Sequence, residues 1–193
     1  MPLIRKTSRI TGTPPPRIIS LSSNLHQLAP GDSTFTSLEE INDPNLRVDQ
    51  YYNRSKLAII LYIKAFVKHV IEPSGDKIYA LSVHPGAVKT SIQDQPKEAF
   101  GYLPGLALKY LTMPFMRTAE GGSLGTLWAA IDPEIEEKNL QGVYVTDPGK
   151  VGGETAQADD MALAENVWSL CTRIIADKLG DDGMLAWTED KSP

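Results

Sequence analysis

The 193-residue chain has the composition of one globular domain, with 41% hydrophobic and 22% charged residues. Its formal net charge of −5 provides no basic surface of the kind that binds nucleic acid. A single cysteine excludes an internal disulfide and a cysteine-rich zinc site, and we expect no metal centre.

Neither the amino-terminal residues nor the most apolar stretch predicts a targeting or membrane segment. Residues 1–10 contain three basic residues but no apolar core of signal-peptide length. The longest apolar run, residues 57–71, is interrupted by Lys64 and Lys68 before it could span a bilayer. We therefore expect no membrane span, and we take a cytoplasmic location as the default.

The first half of the chain predicts a strand, a loop and a long helix. Residues 17–22 have the apolar pattern of a short strand, and a polar loop with a turn at residues 30–32 follows. Asp49 is the predicted N-cap of a helix that runs to about Ile71. Residues 73–76 then end this helix.

The second half of the chain predicts two further strands and two helices. Residues 78–83 are apolar enough to form a strand that is buried on both faces, and residues 142–146 form the next strand. Helices are predicted at residues 118–131 and 158–179. Residues 180–193 are acidic and are predicted to form a loosely ordered tail.

Strands that alternate with helices of this length predict an α/β fold with a parallel sheet and helices on its faces. Ligands of such sheets bind outside the carboxyl ends of the strands. Ser22-Ser23 and His84-Pro85-Gly86 follow two of the predicted strands at that edge. Because Tyr52 lies at the start of the helix that connects those strands, we expect all these residues to lie around one site.

Tyr52 and Lys56 are four residues apart, so a helix places their side chains on one face. An ammonium group within about 4–6 Å favours the phenolate form of a tyrosine, which suits general acid–base catalysis near neutral pH. Among the seven tyrosines of the chain, only Tyr52 has a lysine four positions later. Taken alone, however, this spacing favours the alternative interpretation, a surface Tyr–Lys pair.

Four segments, in this order, resemble the short-chain dehydrogenase/reductase superfamily. They are IISLSS before the loop, YNRSK on the helix, VHPGAVKT after the next strand and GVYVTD at the third strand. The second and third segments are most similar to the retinol-dehydrogenase-like branch, which includes reductases of fungal secondary metabolism. The resemblance runs from about residue 2 to about residue 179, and it implies part of a Rossmann-like, doubly wound parallel sheet.

The resemblance implies hydride transfer between a nicotinamide and a carbonyl or alcohol, with Ser23, Tyr52 and Lys56 as catalytic residues. Tyr52 would exchange a proton with the substrate, and Ser23 would hydrogen-bond the substrate oxygen. Tyr52 and Lys56 would also contact the cofactor, NAD or NADP, with Lys56 holding the nicotinamide ribose. Ser22, by contrast, is interpreted as a strand-end hydroxyl that satisfies the backbone.

The other cofactor contacts implied by the resemblance follow the second predicted strand. Pro85 and Gly86 would bring the backbone close to the nicotinamide. Val88 and Thr90 would meet the carboxamide of the nicotinamide. The alternative for Pro85 and Gly86 is an ordinary turn that needs the flexibility of glycine.

The family's glycine-rich TGxxxGxG turn, its NNAG segment and its helical catalytic asparagine are absent from the sequence. That turn normally cradles the cofactor pyrophosphate with backbone amides at a helix N-terminus. Residues 2–7 resemble the end of the helix that carries the asparagine. We therefore expect one amino-terminally truncated domain over residues 1–193, with dinucleotide affinity no tighter than about millimolar.

The sequence also suggests a substrate class and a partner. Phe100, Tyr102 and Leu103 lie where the family places a substrate-covering segment, which implies a lipophilic small-molecule substrate, although core packing is the alternative. The predicted strand 17–22 would lack one neighbour, so we expect a homo-oligomer or a partner chain to cover that sheet edge. The alternative to an oxidoreductase is a catalytically inactive remnant that acts as a structural or regulatory partner.

Overall fold

A computed structural model describes residues 2–86, 88 and 117–180 of the chain. In chain order the elements are α1 (Pro2–Ser8), β1 (Arg17–Leu21), a 3₁₀ helix (Asn24–Leu28), α2 (Leu38–Ile41), α3 (Val48–Phe66), a π-helical turn (Val67–Ile71), α4 (Glu72–Ser74), β2 (Tyr79–Val83), α5 (Ala119–Ile131), α6 (Glu134–Glu137), β3 (Tyr144–Asp147), β4 (Lys150–Val151) and α7 (Met161–Leu179). Thr90, the substrate-covering segment at residues 100–108 and the predicted tail beyond Gly180 lie outside the described residues.

The described strands form one sheet in the order β1-β2-β3-β4. β1, β2 and β3 are parallel, with Ile19 opposite Leu81 and Ser82 opposite Tyr144. β4 runs antiparallel to β3, and it has no counterpart in the predicted strands because two residues are too short for a periodic pattern. The predicted α/β class with a mainly parallel sheet is confirmed.

Helices cover both faces of the sheet, because neighbouring residues of each strand point to opposite sides. Ala80 of β2 lies in one apolar cluster with Ile63 of α3. Its neighbour Leu81 lies in a separate cluster with Ala129 of α5 on the other face. α7 packs beside α3. This arrangement is the doubly wound, partial Rossmann-like fold.

The long helix differs from the prediction at both ends. The residue at the N-cap of α3 is Arg47, so the predicted cap at Asp49 is wrong. Asp49 lies instead in the first turn, where a carboxylate interacts favourably with the helix dipole. α3 ends at Phe66 and continues as the π-helical turn, and the chain leaves the helical path at Gly75, whose φ of 65° favours glycine.

Two hydrogen bonds dock α3 against the carboxyl end of β1. The Ser22 hydroxyl donates to the backbone carbonyl of Lys56 over 2.7 Å. The Lys56 ammonium group donates to the backbone carbonyl of Leu21 over 3.0 Å. Ser22 is buried and satisfies the backbone, as predicted. Because one bond runs in each direction, the first turns of α3 are fixed at the end of β1.

Candidate active site

Tyr52 and Lys56 lie one helical turn apart on α3, at the carboxyl end of β1. The Lys56 Nζ atom is 5.4 Å from the centroid of the Tyr52 ring, and the Tyr52 residue is 43% exposed. Burial lowers the pKa of Lys56 below its ordinary value. One Lys56 N–H is bound to the Leu21 carbonyl, so the ammonium group has two further donors. The arrangement presents an accessible phenol beside a partly dehydrated cation.

Ser23 follows β1 and caps the 3₁₀ helix. Its Oγ atom accepts a hydrogen bond from the backbone N–H of Leu25 over 3.2 Å, and the residue is buried. Since that bond uses an acceptor site, the hydroxyl proton of Ser23 can still be donated. The structure therefore brings Ser23 and Lys56 to the same end of β1.

The turn after Ser23 is anchored to the ends of β2 and β3. The backbone N–H of Asn24 donates to Nδ1 of His84 over 3.2 Å. The Tyr144 hydroxyl donates to Oδ1 of Asn24 over 2.8 Å. Asn24, which follows β1, is thus connected to the residue after β2 and to the first residue of β3. Sequence analysis did not find Asn24 as part of the site because its partners are distant in the chain.

His26 holds the same turn from inside the protein. Its Nδ1 atom lies 2.7 Å from the backbone carbonyl of Ser23, and its Nε2 atom accepts from the backbone N–H of Thr155 over 3.3 Å. A donating Nδ1 and an accepting Nε2 define a neutral imidazole. Burial lowers the pKa of His26 and outweighs the opposite effect of the hydrogen bond to Ser23. The ring also packs edge-on against Tyr144 at 5.0 Å between centroids.

The turn after β2 contains Pro85 and Gly86 and leads to Val88. Gly86 has a φ of 83°, in the left-handed region that favours glycine. An added Cβ at Gly86 would lie 2.8 Å from Cδ of Arg117. The alternative interpretation of a turn that needs glycine is therefore supported by both the backbone angle and the neighbouring side chain. Val88 forms an isolated parallel bridge with Arg117.

Charged groups surround His84 at this turn. The Arg117 guanidinium donates to Oδ1 of Asp147, at the end of β3, over 2.5 Å. Burial and the Arg117 charge lower the pKa of His84, whereas the Asp147 charge raises it. The hydrogen bond from Arg117 also lowers the pKa of Asp147. Sequence analysis gave no role to Arg117 or to Asp147, the last residue of the GVYVTD segment, since their proximity to Gly86 depends on the fold.

Comparisons with known proteins identify relatives over most of the chain. It is 34% identical over 183 residues to "Putative oxidoreductase bli-4, mitochondrial" of Neurospora crassa, across 92% of this chain and 42% of that protein. It is 28% identical over 181 residues to the short chain dehydrogenase/reductase dpchH of Colletotrichum higginsianum, across 88% of this chain and 43% of that protein. Over most of its length the chain is therefore similar to part of proteins named oxidoreductase or short-chain dehydrogenase/reductase. No family model matches it.

The relatives are longer than this chain, which spans less than half the length of each of these two proteins. A solved structure of an uncharacterized protein from Mycobacterium paratuberculosis matches with a TM-score of 0.53 and 21% identity. The match covers 82% of this chain and 49% of that chain, and it supports the fold. Among the described helices, none combines the length and apolar character needed to cross a bilayer.

The buried His26 and the half-buried His84 predict how stability depends on pH. Their pKa values in the folded chain lie below the ordinary 6.5, so the unfolded chain binds more protons just below that pH. The free energy of unfolding should therefore fall as the pH decreases from about 7.5 to about 5.5, before carboxylates titrate. Denaturant unfolding across this range measures the slope. A His26→Gln, His84→Gln double variant should lose most of the slope, and a flat wild-type profile would contradict the account.

Proposed function

We propose that this chain carries the proton-transfer site of an NAD- or NADP-dependent oxidoreductase that interconverts a carbonyl and an alcohol. The observation that carries the proposal is the position of the Lys56 ammonium group above the Tyr52 ring, with Lys56 held by the Leu21 carbonyl. Similarity to an oxidoreductase and to a short-chain dehydrogenase/reductase supports this class of reaction. The nicotinamide, when bound, supplies or accepts the hydride.

The side chains have separate roles in proton transfer. In the direction of reduction, the Tyr52 hydroxyl gives its proton to the oxygen of the substrate carbonyl. The Lys56 charge stabilises the phenolate that remains. Ser23 donates a hydrogen bond to the same substrate oxygen, since the bond from Leu25 uses only an acceptor site of its hydroxyl. In the direction of oxidation, the Tyr52 phenolate takes up the proton of the alcohol.

The donors around the site fit the nicotinamide end of the cofactor. Lys56 retains two N–H donors, which suit the hydroxyls of a ribose. At the turn after β2, the side of Gly86 that lacks a Cβ is covered by Arg117. We therefore assign the cofactor contacts of Pro85, Gly86 and Val88 to backbone atoms on the side of the turn that Arg117 does not cover. Thr90 is assigned to the carboxamide by the family resemblance alone.

The surface next to Ser23 favours a lipophilic substrate. Leu25 and Leu28 of the 3₁₀ helix are both exposed. Burying such leucines against a ligand releases about 25 cal/mol for each Å² of apolar surface removed from water. We therefore propose a small molecule with an apolar body and a reducible carbonyl or oxidisable alcohol.

Substitution of Tyr52 tests the proposed proton transfer. We expect Tyr52→Phe to lower nicotinamide-dependent turnover by about 100-fold or more, because it removes the transferred proton. Cofactor binding should change little, since most of the ring remains. Turnover with NADH or NADPH and a panel of lipophilic ketones and aldehydes measures the effect.

Tyr51 provides the matched control for that experiment. Its hydroxyl donates to the backbone carbonyl of Asp43, in the loop before α3. Tyr51→Phe should therefore leave turnover within a few-fold of the wild type, whereas Lys56→Ala should weaken both turnover and cofactor binding. A Tyr52→Phe protein that keeps most of its activity would exclude Tyr52 as the acid.

We also propose that another chain, a second copy or a partner, covers the β1 edge of the sheet. Within residues 2–86, 88 and 117–180, β1 pairs only with β2. Leu21 at the end of β1 is exposed. Nearby on α5, Leu124, Leu127 and Ile131 form a stripe that is at least half exposed. An unpaired edge beside an apolar stripe favours association.

The edge proposal predicts that the purified chain is dimeric, bound to a partner or aggregated, and that it binds hydrophobic dyes. Light scattering and dye fluorescence measure both properties. A Leu127→Glu, Ile131→Glu double variant should reduce them, because it places charges in the stripe. Leu179→Glu, at an exposed leucine on α7, is the control. A compact monomer whose residues 17–22 are strongly protected from hydrogen exchange would contradict the proposal.

A further inference from the structure

Arg117 makes an unusually close contact with the turn after β2. An added Cβ at Gly86 would lie 2.8 Å from Cδ and 3.0 Å from Nε of Arg117. The side chain of Arg117 therefore lies directly on the side of Gly86 where another residue would have its Cβ. The backbone of Arg117 also bridges to Val88 in a parallel arrangement. One residue thus contacts the turn through both its side chain and its backbone.

The far end of the same side chain reaches β3. The Arg117 guanidinium is hydrogen-bonded to Asp147 over 2.5 Å, and the two side chains are 39% and 27% exposed. Asp147 is the last residue of β3, whereas Gly86 follows β2. Arg117 therefore spans the carboxyl ends of two neighbouring strands. A lysine could supply the charge but not the planar group that combines packing with directed hydrogen bonds.

The start of α5 packs against the same turn. A Cβ on Gly122 would overlap Cγ2 of Val88 and would lie 3.3 Å from the backbone carbonyl of Pro85. The absence of a side chain at Gly122 lets α5 approach this closely. Thr118 caps the helix by accepting a hydrogen bond from the backbone N–H of Gly121 over 3.1 Å. Arg117 immediately precedes that cap, so its position is linked to the start of α5.

We propose that Arg117, through its ion pair with Asp147, is a positioning residue that fixes the turn of Pro85, Gly86 and Val88 for the nicotinamide. The inference rests on the proposed function, which assigns those backbone atoms to the cofactor. In this role Arg117 holds the turn but does not contact the reacting atoms. Loss of the ion pair should therefore weaken nicotinamide binding more than it changes the chemical step.

Four single variants separate the effect of the ion pair from the effects of side-chain packing and of general charge. Arg117→Met keeps an unbranched side chain over Gly86 but removes the positive charge, and Asp147→Asn removes the negative charge of the partner. Lys150→Met is the matched control, because Lys150 lies 3.5 Å from the other oxygen of Asp147 and its side chain is 72% exposed. Arg117→Lys tests whether a cation alone restores the effect.

The first readout is hydrogen exchange and histidine titration at the turn after β2, measured on this chain without cofactor. Hydrogen exchange of the backbone amides of His84 and Gly86 should accelerate by about fivefold in Arg117→Met and Asp147→Asn. NMR titration of His84 gives a second signal, since Arg117, Asp147 and His26 all act on it. The pKa of His84 should rise in Arg117→Met and fall in Asp147→Asn. Lys150→Met should leave exchange at the turn unchanged.

The second readout is binding of nicotinamide mononucleotide, followed by NMR. Arg117→Met and Asp147→Asn should each weaken its affinity by about fivefold, with partial recovery in Arg117→Lys and no change in Lys150→Met. Unchanged exchange at the turn, or equal effects from Lys150→Met, would overturn the proposal. A looser turn with unchanged affinity would overturn the role toward the nicotinamide. Failure of the proposed function itself would appear separately, as retained turnover in Tyr52→Phe.

Discussion

The docking of α3 on the carboxyl end of β1 determines where the other candidate groups can lie. Ser22 donates to the carbonyl of Lys56, and Lys56 donates to the carbonyl of Leu21, so each element holds the other. The same lysine places its charge above the ring of Tyr52. A bond that stabilises the fold therefore also orients the cation proposed to support proton transfer.

Polar anchors around this docking point hold the flanking turns. The turn after Ser23 is fixed by two imidazoles that act as acceptors, His26 toward Thr155 and His84 toward Asn24. An accepting ring nitrogen must be unprotonated, and burial favours the neutral form of both rings. The position of the turn after Ser23, next to the candidate site, thus depends on both histidines being neutral.

The parts of the fold that follow local patterns could be predicted from sequence. The parallel strands are apolar runs, and the spacing of Tyr52 and Lys56 places them on one helix face. The predicted cap at Asp49 was wrong because the Gln50 side chain accepts from the backbone N–H of Arg47, so the helix is capped two residues earlier. The contact of Arg117 with Gly86 could not be predicted, since it depends on how distant segments pack.

The central claim is that the carboxyl end of β1, where α3 docks, receives a nicotinamide. A map of amide chemical shifts during titration with nicotinamide mononucleotide tests it most directly. The account predicts that the largest changes cluster at the amides of Ser23, Lys56, His84 and Gly86. Changes centred instead on the cleft of about 350 Å³ at the amino ends of the strands, beside Asp76 and Glu136, would contradict it.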